Sequence, residues 1–137
     1  MIILVTGISG SGKTTMSLKI HECLEGSRYY NADQVRGANN DWDFSGTGRR
    51  RQARRMRDKA AAHDKGVVIL DFICPTEELR GIVSADFVIW MDTEKNSKYR
   101  DTDSIYEPPT KWDVRVQNKK ADVYAIIKDL RSKLEDN

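Results

Sequence analysis

The sequence holds only two cysteines, Cys23 and Cys74, and carries a formal net charge of just +2. It shows no internal repeat and no low-complexity linker. Two thiols without metal-ligand spacing exclude a cysteine-built metal site and predict reduced thiols in a cytoplasmic protein. So small a net charge does not by itself imply a nucleic-acid partner. No apolar run approaches the length of a membrane span, so no membrane partner is expected. Met1 already begins an apolar strand, and no secretory leader is expected before it. What is present is ordinary for a globular chain: 39% hydrophobic and 32% charged residues over 137 positions. That length predicts one domain, residues 1–137, with room for a sheet, flanking helices and little else.

The most informative stretch is MIILVTGISGSGKTT, Met1–Thr15. A continuous apolar run without alternation reads as a strand buried on both faces. It leads into Gly7-Ile8-Ser9-Gly10-Ser11-Gly12-Lys13-Thr14, which fits G-x-x-x-x-G-K-[ST], a phosphate-binding loop. Gly7, Gly10 and Gly12 let the backbone curl so that its N–H groups, with those of Ser9, Ser11 and Thr15, face an anion. Lys13 would reach the β- and γ-phosphates of ATP, and the Thr14 hydroxyl would hold Mg²⁺. A helix over Lys13–Glu25 would aim its positive end at the same anion.

Further apolar runs, Val67–Asp71 and Phe87–Asp92, read as buried strands that each end on an acid. Ser27–Asn31 and Trp112–Val116 read as shorter strands. Helices are expected from about Gly46 to His63, from Pro75 to about Arg80, and over Ala121–Leu134. Gly37–Ser45 reads as a loop, and about 93–109 as a lid-like loop. Strands alternating with helices predict a three-layer α/β fold, a parallel sheet with helices on both faces. Ligands of such sheets bind at the carboxyl ends of the strands, which should gather Gly7, Asp33, Asp71, Cys74 and Asp92 at one edge.

Asp33 is the candidate general base, able to take a proton from a hydroxyl attacking the γ-phosphorus. Asp71, at the end of its strand, is the candidate metal-side acid. Asp92 reads equally as a structural cap. In the run Arg49–Arg57, Arg49 shares a helical face with Ala53, Met56 and Ala60, and Gln52 borders it. Arg49 and Gln52 would then meet an anionic acceptor, with Arg50, Arg51, Arg54, Arg55 and Arg57 solvated. The competing reading makes the whole helix a nucleic-acid contact. Phe44 is favoured for stacking on a base; Trp42 is left open. Asn118–Asp122 is similar to a guanine-reading N-K-x-D but is one residue too long, and it is set aside. His63 reads as a surface residue.

These motifs together resemble the adenylylsulfate (APS) kinases over nearly the whole chain. GISGSGKTT matches directly, NADQVR (31–36) stands against that family's DGDNVR, and Phe72-Ile73-Cys74-Pro75 stands against FISP. Asn40, Phe44-Ser45, Arg49 and Gln52, and the DSxYEPP stretch from Asp103 to Pro109 complete the match. The resemblance implies a P-loop NTPase fold and Mg-ATP-dependent transfer of the γ-phosphate to the 3′-hydroxyl of adenylyl sulfate, giving PAPS in sulfate assimilation. It implies that Asp33 stands beside the acceptor hydroxyl and that Arg36, Asn40, Arg49 and Gln52 hold the acceptor. Phe44 would stack its adenine, and Phe72, Ile73 and Cys74 would line its site.

The sequence departs from the family at Asn31, Gln52 and Cys74, in a shortened lid, and in carrying Asp71. An acid there and the Asp33–Arg36 pair are also similar to polynucleotide 5′-hydroxyl kinases, so a polynucleotide or modified-nucleoside acceptor is the alternative. A nucleotide-binding module without turnover is a second alternative, and a homodimer is a further possible partner state. Lys13→Ala is expected to cut phosphoryl transfer about 100-fold or more while the chain stays folded. ATP binding and turnover at the level of the unsubstituted protein would remove the phosphate-loop assignment.

Overall fold

In the computed structural model, which describes residues 1–63, 65–95 and 104–136, strands and helices alternate. They are β1 (Ile2–Thr6), α1 (Lys13–Cys23), β2 (Arg28–Asn31), α2 (Ala32–Ala38), α3 (Gly46–Ala61) and β3 (Val68–Asp71). There follow α4 (Glu77–Val83), β4 (Phe87–Met91), β5 (Val114–Val116) and α5 (Val123–Asp136). The sheet runs in the order β2-β3-β1-β4-β5 and every pairing is parallel. No helix of the described residues is long and apolar enough to cross a membrane.

Strand side chains alternate between faces, and here both faces are covered. Ile3, Val5, Ile69, Phe87, Ile89 and Met91 pack with Met16 and Ile20 of α1 and Ile126, Ile127 and Leu130 of α5. Leu4, Val68 and Leu70 pack against Ala32 and Val35 of α2, Ala53, Met56 and Ala60 of α3, and Leu79 and Val83 of α4. Fully burying one such large aliphatic side chain stabilises the fold by about 1.5–3 kcal/mol. This two-sided burial is why the strands read as unbroken apolar runs.

Element ends move by a few residues from the sequence expectation. α1 stops at Cys23, two residues early, because Leu24 is already extended and Gly26 turns with φ +80°. Helix α2 was not expected; Asn31 caps it by accepting a hydrogen bond from Gln34 N at 3.0 Å. The expected lid-like loop falls partly outside the described residues, which end at 95 and resume at 104, so Asp103 is outside them. Its described end is fastened to the sheet edge. Tyr106 Oη lies 3.1 Å from Thr6 Oγ1, Glu107 N donates to Pro75 O, and Glu107 Oε1 accepts from Glu77 N. Arg80 donates to the carbonyls of Cys74 and Glu107.

The loop expected from Gly37 begins only after α2 ends at Ala38, and its residues 39–45 fold back onto the first turn of α3. There Gly48 is essential to the close approach: a Cβ at this position would lie 2.2 Å from the Asp43 carbonyl oxygen. Gly48→Ala in an unobstructed helix would stabilise by about 0.5–1 kcal/mol. Here overpacking is expected to reverse the sign and destabilise by about 1–3 kcal/mol. Urea melts decide it, and a rise in stability would show that the loop does not hold this position.

Candidate active site

β1 ends in a turn that a side chain could not enter. A Cβ on Gly7 would stand 2.6 Å from Ser11 Oγ and 2.7 Å from Met91 O. The turn closes at Gly12, whose left-handed backbone (φ +97°) starts α1. Helices α2, α3 and α4 are each capped by a side chain, from Asn31, Ser45 and Thr76 respectively. α1 has no side-chain cap and no acid in its first turn. Its unpaired N–H groups and positive dipole end are therefore free to meet an anion.

They open on a cleft of about 430 Å³ lined by Ser9, Gly10, Gly12, Lys13, Thr14, Thr15, Asn31, Ala32, Asp33, Asp71, Ile73 and Lys119. Lys13 Nζ donates to Ile8 O at 2.9 Å, inside the loop. Burial pulls its ammonium below the usual lysine pKa, and the nearby carboxylates of Asp71 and then Asp33 oppose that fall. Ser11 Oγ is buried with no hydrogen-bond partner among the described residues.

Thr14 Oγ1 donates to Asp71 Oδ2 at 2.6 Å. With its proton committed to the acid, the hydroxyl keeps its lone pairs for a cation. Asp71 is 3% exposed yet lines the cleft. A hydroxyl and a carboxylate are hard oxygen donors of the kind Mg²⁺ selects, and Mg²⁺ takes one or two such groups beside phosphate oxygens and water. The residues present thus fit that ion. Among the described residues no cluster of three or more His, Cys, Asp or Glu gathers for a metal, so ligands beyond the chain would complete the shell.

A narrower second cleft of about 50 Å³ adjoins the first and is lined by Ala32, Asp33, Arg36, Phe44, Arg49, Phe72, Ile73, Pro75 and Leu79. Asp33, Ala32 and Ile73 border both clefts. The Arg36 guanidinium lies 4.4 Å from the centre of the Phe44 ring and that of Arg49 lies 5.5 Å from it. Phe44 is half exposed. Arg36 is buried and donates to the carbonyls of Asp41 and Asp43. Arg49 Nε donates to Phe44 O at 2.7 Å. Burial lowers the pKa of both guanidiniums.

Several residues named from sequence stand elsewhere. Gln52 is fully buried, with Nε2 donating to Ala32 O and Oε1 accepting from Arg55, so it builds the wall behind the second cleft. Asn40 has a left-handed backbone (φ +48°) and lines neither cleft. Cys74 is fully buried, and burial pushes its thiol up to about 12. Asp92 is paired with Arg115 at 2.6 Å. His63 is half-buried at 2.7 Å from Tyr30 Oη rather than a free surface residue.

Arg51 and Arg55 are not free solvated charges either. Arg51 donates to both carboxylate oxygens of Asp41, and Arg55 to one of them. These bonds, Arg51's first, hold the Asp41 carboxyl well below the usual carboxylate range. Sequence reasoning also set aside the stretch that brings Lys119 to the cleft wall, where it pairs with Glu94 at 2.7 Å. The N-K-x-D-like run was the signal there.

The adenylylsulphate kinase family profile matches residues 1–111. An adenylyl-sulfate kinase of Geotalea uraniireducens (strain Rf4) is 38% identical over 94 residues, 64% of this chain and 45% of that protein. One from Geotalea daltonii is 37% identical over 94 residues, 64% of this chain and 46% of that protein. The match thus spans less than half the length of either relative. Among solved structures, an APS kinase of Mycobacterium tuberculosis in complex with AMPPNP and APS superposes with a TM-score of 0.74 at 22% identity. That likeness covers 98% of this chain and 96% of the other. Shikimate kinase from Aquifex aeolicus gives 0.63 at 16% identity, over 100% and 98%. At such identities the structural likeness shows a shared fold.

The two acids at the junction divide by position, Asp33 between the clefts and Asp71 on Thr14. Asp33→Asn is expected to lower kcat with ATP affinity unchanged, and Asp71→Asn to raise the Mg²⁺ concentration needed for half-maximal rate. Superimposable Mg²⁺ titrations of the two variants would refute the division.

Proposed function

The chain belongs to the adenylylsulphate kinase family, and on that premise we propose that it transfers the γ-phosphate of ATP to a hydroxyl of a small nucleotide acceptor. The acceptor we infer is adenylyl sulfate, phosphorylated at its 3′-hydroxyl. One observation carries the reading: Asp33 is shared by the phosphate-loop cleft and the cleft of Arg36, Phe44 and Arg49. A hydroxyl held in the second cleft would meet a phosphate held in the first at that carboxylate.

Donor triphosphate would lie along the loop backbone and the uncapped start of α1, with Lys13 neutralising charge on the transferring group. Thr14 and Asp71 would hold Mg²⁺, which when bound supplies charge neutralisation at the phosphate oxygens. Asp33 accepts the proton of the attacking hydroxyl and orients that oxygen in line with the phosphorus. Arg36 and Arg49 clamp the acceptor's anionic group, and the half-exposed ring of Phe44 stacks on its base. Positioning of two reactants across one carboxylate accounts for the rate, because such transfers need little covalent help from the protein. The two cysteines are free thiols, which fits a cytoplasmic setting.

A polynucleotide acceptor would track across the outer face of α3. Arg51 and Arg55 are engaged with Asp41, and Arg50 lies 3.4 Å from Glu78. Arg54 and Arg57 are exposed and have no ion-pair partner among the described residues, Arg57 reaching only Ile82 O at 3.5 Å. The direct experiment offers adenylyl sulfate, oligonucleotides and nucleosides side by side with γ-³²P-ATP; label on adenylyl sulfate alone is the expected result. Arg49→Ala should raise the acceptor KM by about 10- to 100-fold, the loss of a charged hydrogen-bond pair. Neutral replacement of both Arg54 and Arg57 should leave it unchanged. A large effect of the Arg54/Arg57 change with a steep salt dependence would instead identify a polynucleotide acceptor.

A further inference from the structure

Two side chains of β2 converge on Asp71, and neither is used in the reading above. Asn31 and Asp71 are register partners at the ends of β2 and β3. Tyr29 precedes Asn31 by two residues, so both side chains leave the same face of the strand. Tyr29 is paired with Ile69, which makes Asp71 its diagonal neighbour. A diagonal neighbour on the adjacent strand is within reach of a side chain as long as tyrosine. Tyr29 Oη accordingly donates to Asp71 Oδ2 at 2.7 Å, and Asn31 Nδ2 donates to the same oxygen at 3.0 Å. With Thr14 at 2.6 Å, one carboxylate oxygen receives three donors. Among the described residues Asp71 Oδ1 receives none, and it is not among the buried atoms sealed off without a partner.

We propose that Tyr29 and Asn31 are positioning residues that fix the Asp71 carboxylate through Oδ2, so that Oδ1 is presented to a divalent cation in the phosphate-loop cleft. The inference rests on the reading of Asp71 as the metal-side acid. Three donors on one oxygen restrain the carboxylate and would leave the other oxygen for a cation. Asn31 also works in the other direction. Its Oδ1 caps α2 through Gln34 N at 3.0 Å, and Asp33 lies in the first turn of that helix. One amide thereby sets the metal-side acid against the candidate base.

The test titrates Mn²⁺, followed by its electron paramagnetic resonance signal, into protein saturated with a non-hydrolysable ATP analogue. Tyr29→Phe keeps the ring and removes the donor. Asn31→Ser keeps a helix-capping oxygen and removes the amide. Each should weaken Mn²⁺ binding about 10-fold, the usual scale for losing a partner behind a metal ligand. Each should also lower kcat, with acceptor KM and metal-free nucleotide affinity unchanged; thermal melts monitor the fold. Asp71→Asn, as the reference, should weaken Mn²⁺ binding more than either. If Asp71→Asn weakens Mn²⁺ binding while Tyr29→Phe and Asn31→Ser bind it normally, the positioning role is overturned and the metal-side reading of Asp71 stands. If Asp71→Asn itself binds Mn²⁺ normally, that reading falls and the positioning role falls with it. A lowered melting temperature in Asn31→Ser without a change in Mn²⁺ affinity would mark a helix cap only.

Discussion

All strand pairings of this sheet are parallel and its two faces are covered by helices. That constraint decides where chemistry can happen. Every strand ends at the same edge, and with both faces sealed by apolar packing, polar side chains can meet a ligand only there. The loop after β1, Asn31 and the residues after β2, and Asp71 at the end of β3 all arrive at that edge. They form one cleft because β2, β3 and β1 are consecutive in the sheet. The Thr14–Asp71 hydrogen bond then joins the first turn of α1 to β3 across sequence positions 57 apart.

The second cleft depends on a different physics. The 39–45 loop leaves its two aromatics, Trp42 and Phe44, about half exposed, so charge and hydrogen bonding hold it. Asp41 takes two arginines of α3, while Arg36 of α2 donates to two carbonyls of the loop. Each exposed ion pair among them is modest by itself. Together they place Phe44 beside the guanidiniums of Arg36 and Arg49. Two of the arginines that looked like a solvated or nucleic-acid-binding face, Arg51 and Arg55, are anchors of this loop. Gly48 contributes by having no side chain where the loop backbone passes.

The phosphate loop, the buried strands and the amphipathic α5 were legible in sequence because each is set by local chemistry. Glycine spacing, apolar runs and 3.6-residue periodicity are written into contiguous residues. The place of Asp33 at the sheet's carboxyl edge, two residues past β2, was legible for the same reason. Helix α2 was not legible because it is seven residues long and follows β2 without a break. The capping Asn31 was a usable signal, but the apolar-polar pattern around it is too short to show a period.

What the sequence determined by itself is therefore the sheet's composition, the phosphate loop and the acids at the strand ends. What tertiary structure decided is the partner of each polar group. Gln52 and Arg49, three residues apart on one helix, part company because Gln52 is fully buried, its amide bonded to Ala32 O and Arg55. Cys74 and Ile73 are sequence neighbours, yet Ile73 borders both clefts while Cys74 is buried at a left-handed turn (φ +45°). Tyr29 carries no motif, and only strand register brings its hydroxyl to Asp71. A hydrogen bond needs a donor and an acceptor within about 3 Å. Across 40 or more residues of chain, packing alone sets that distance.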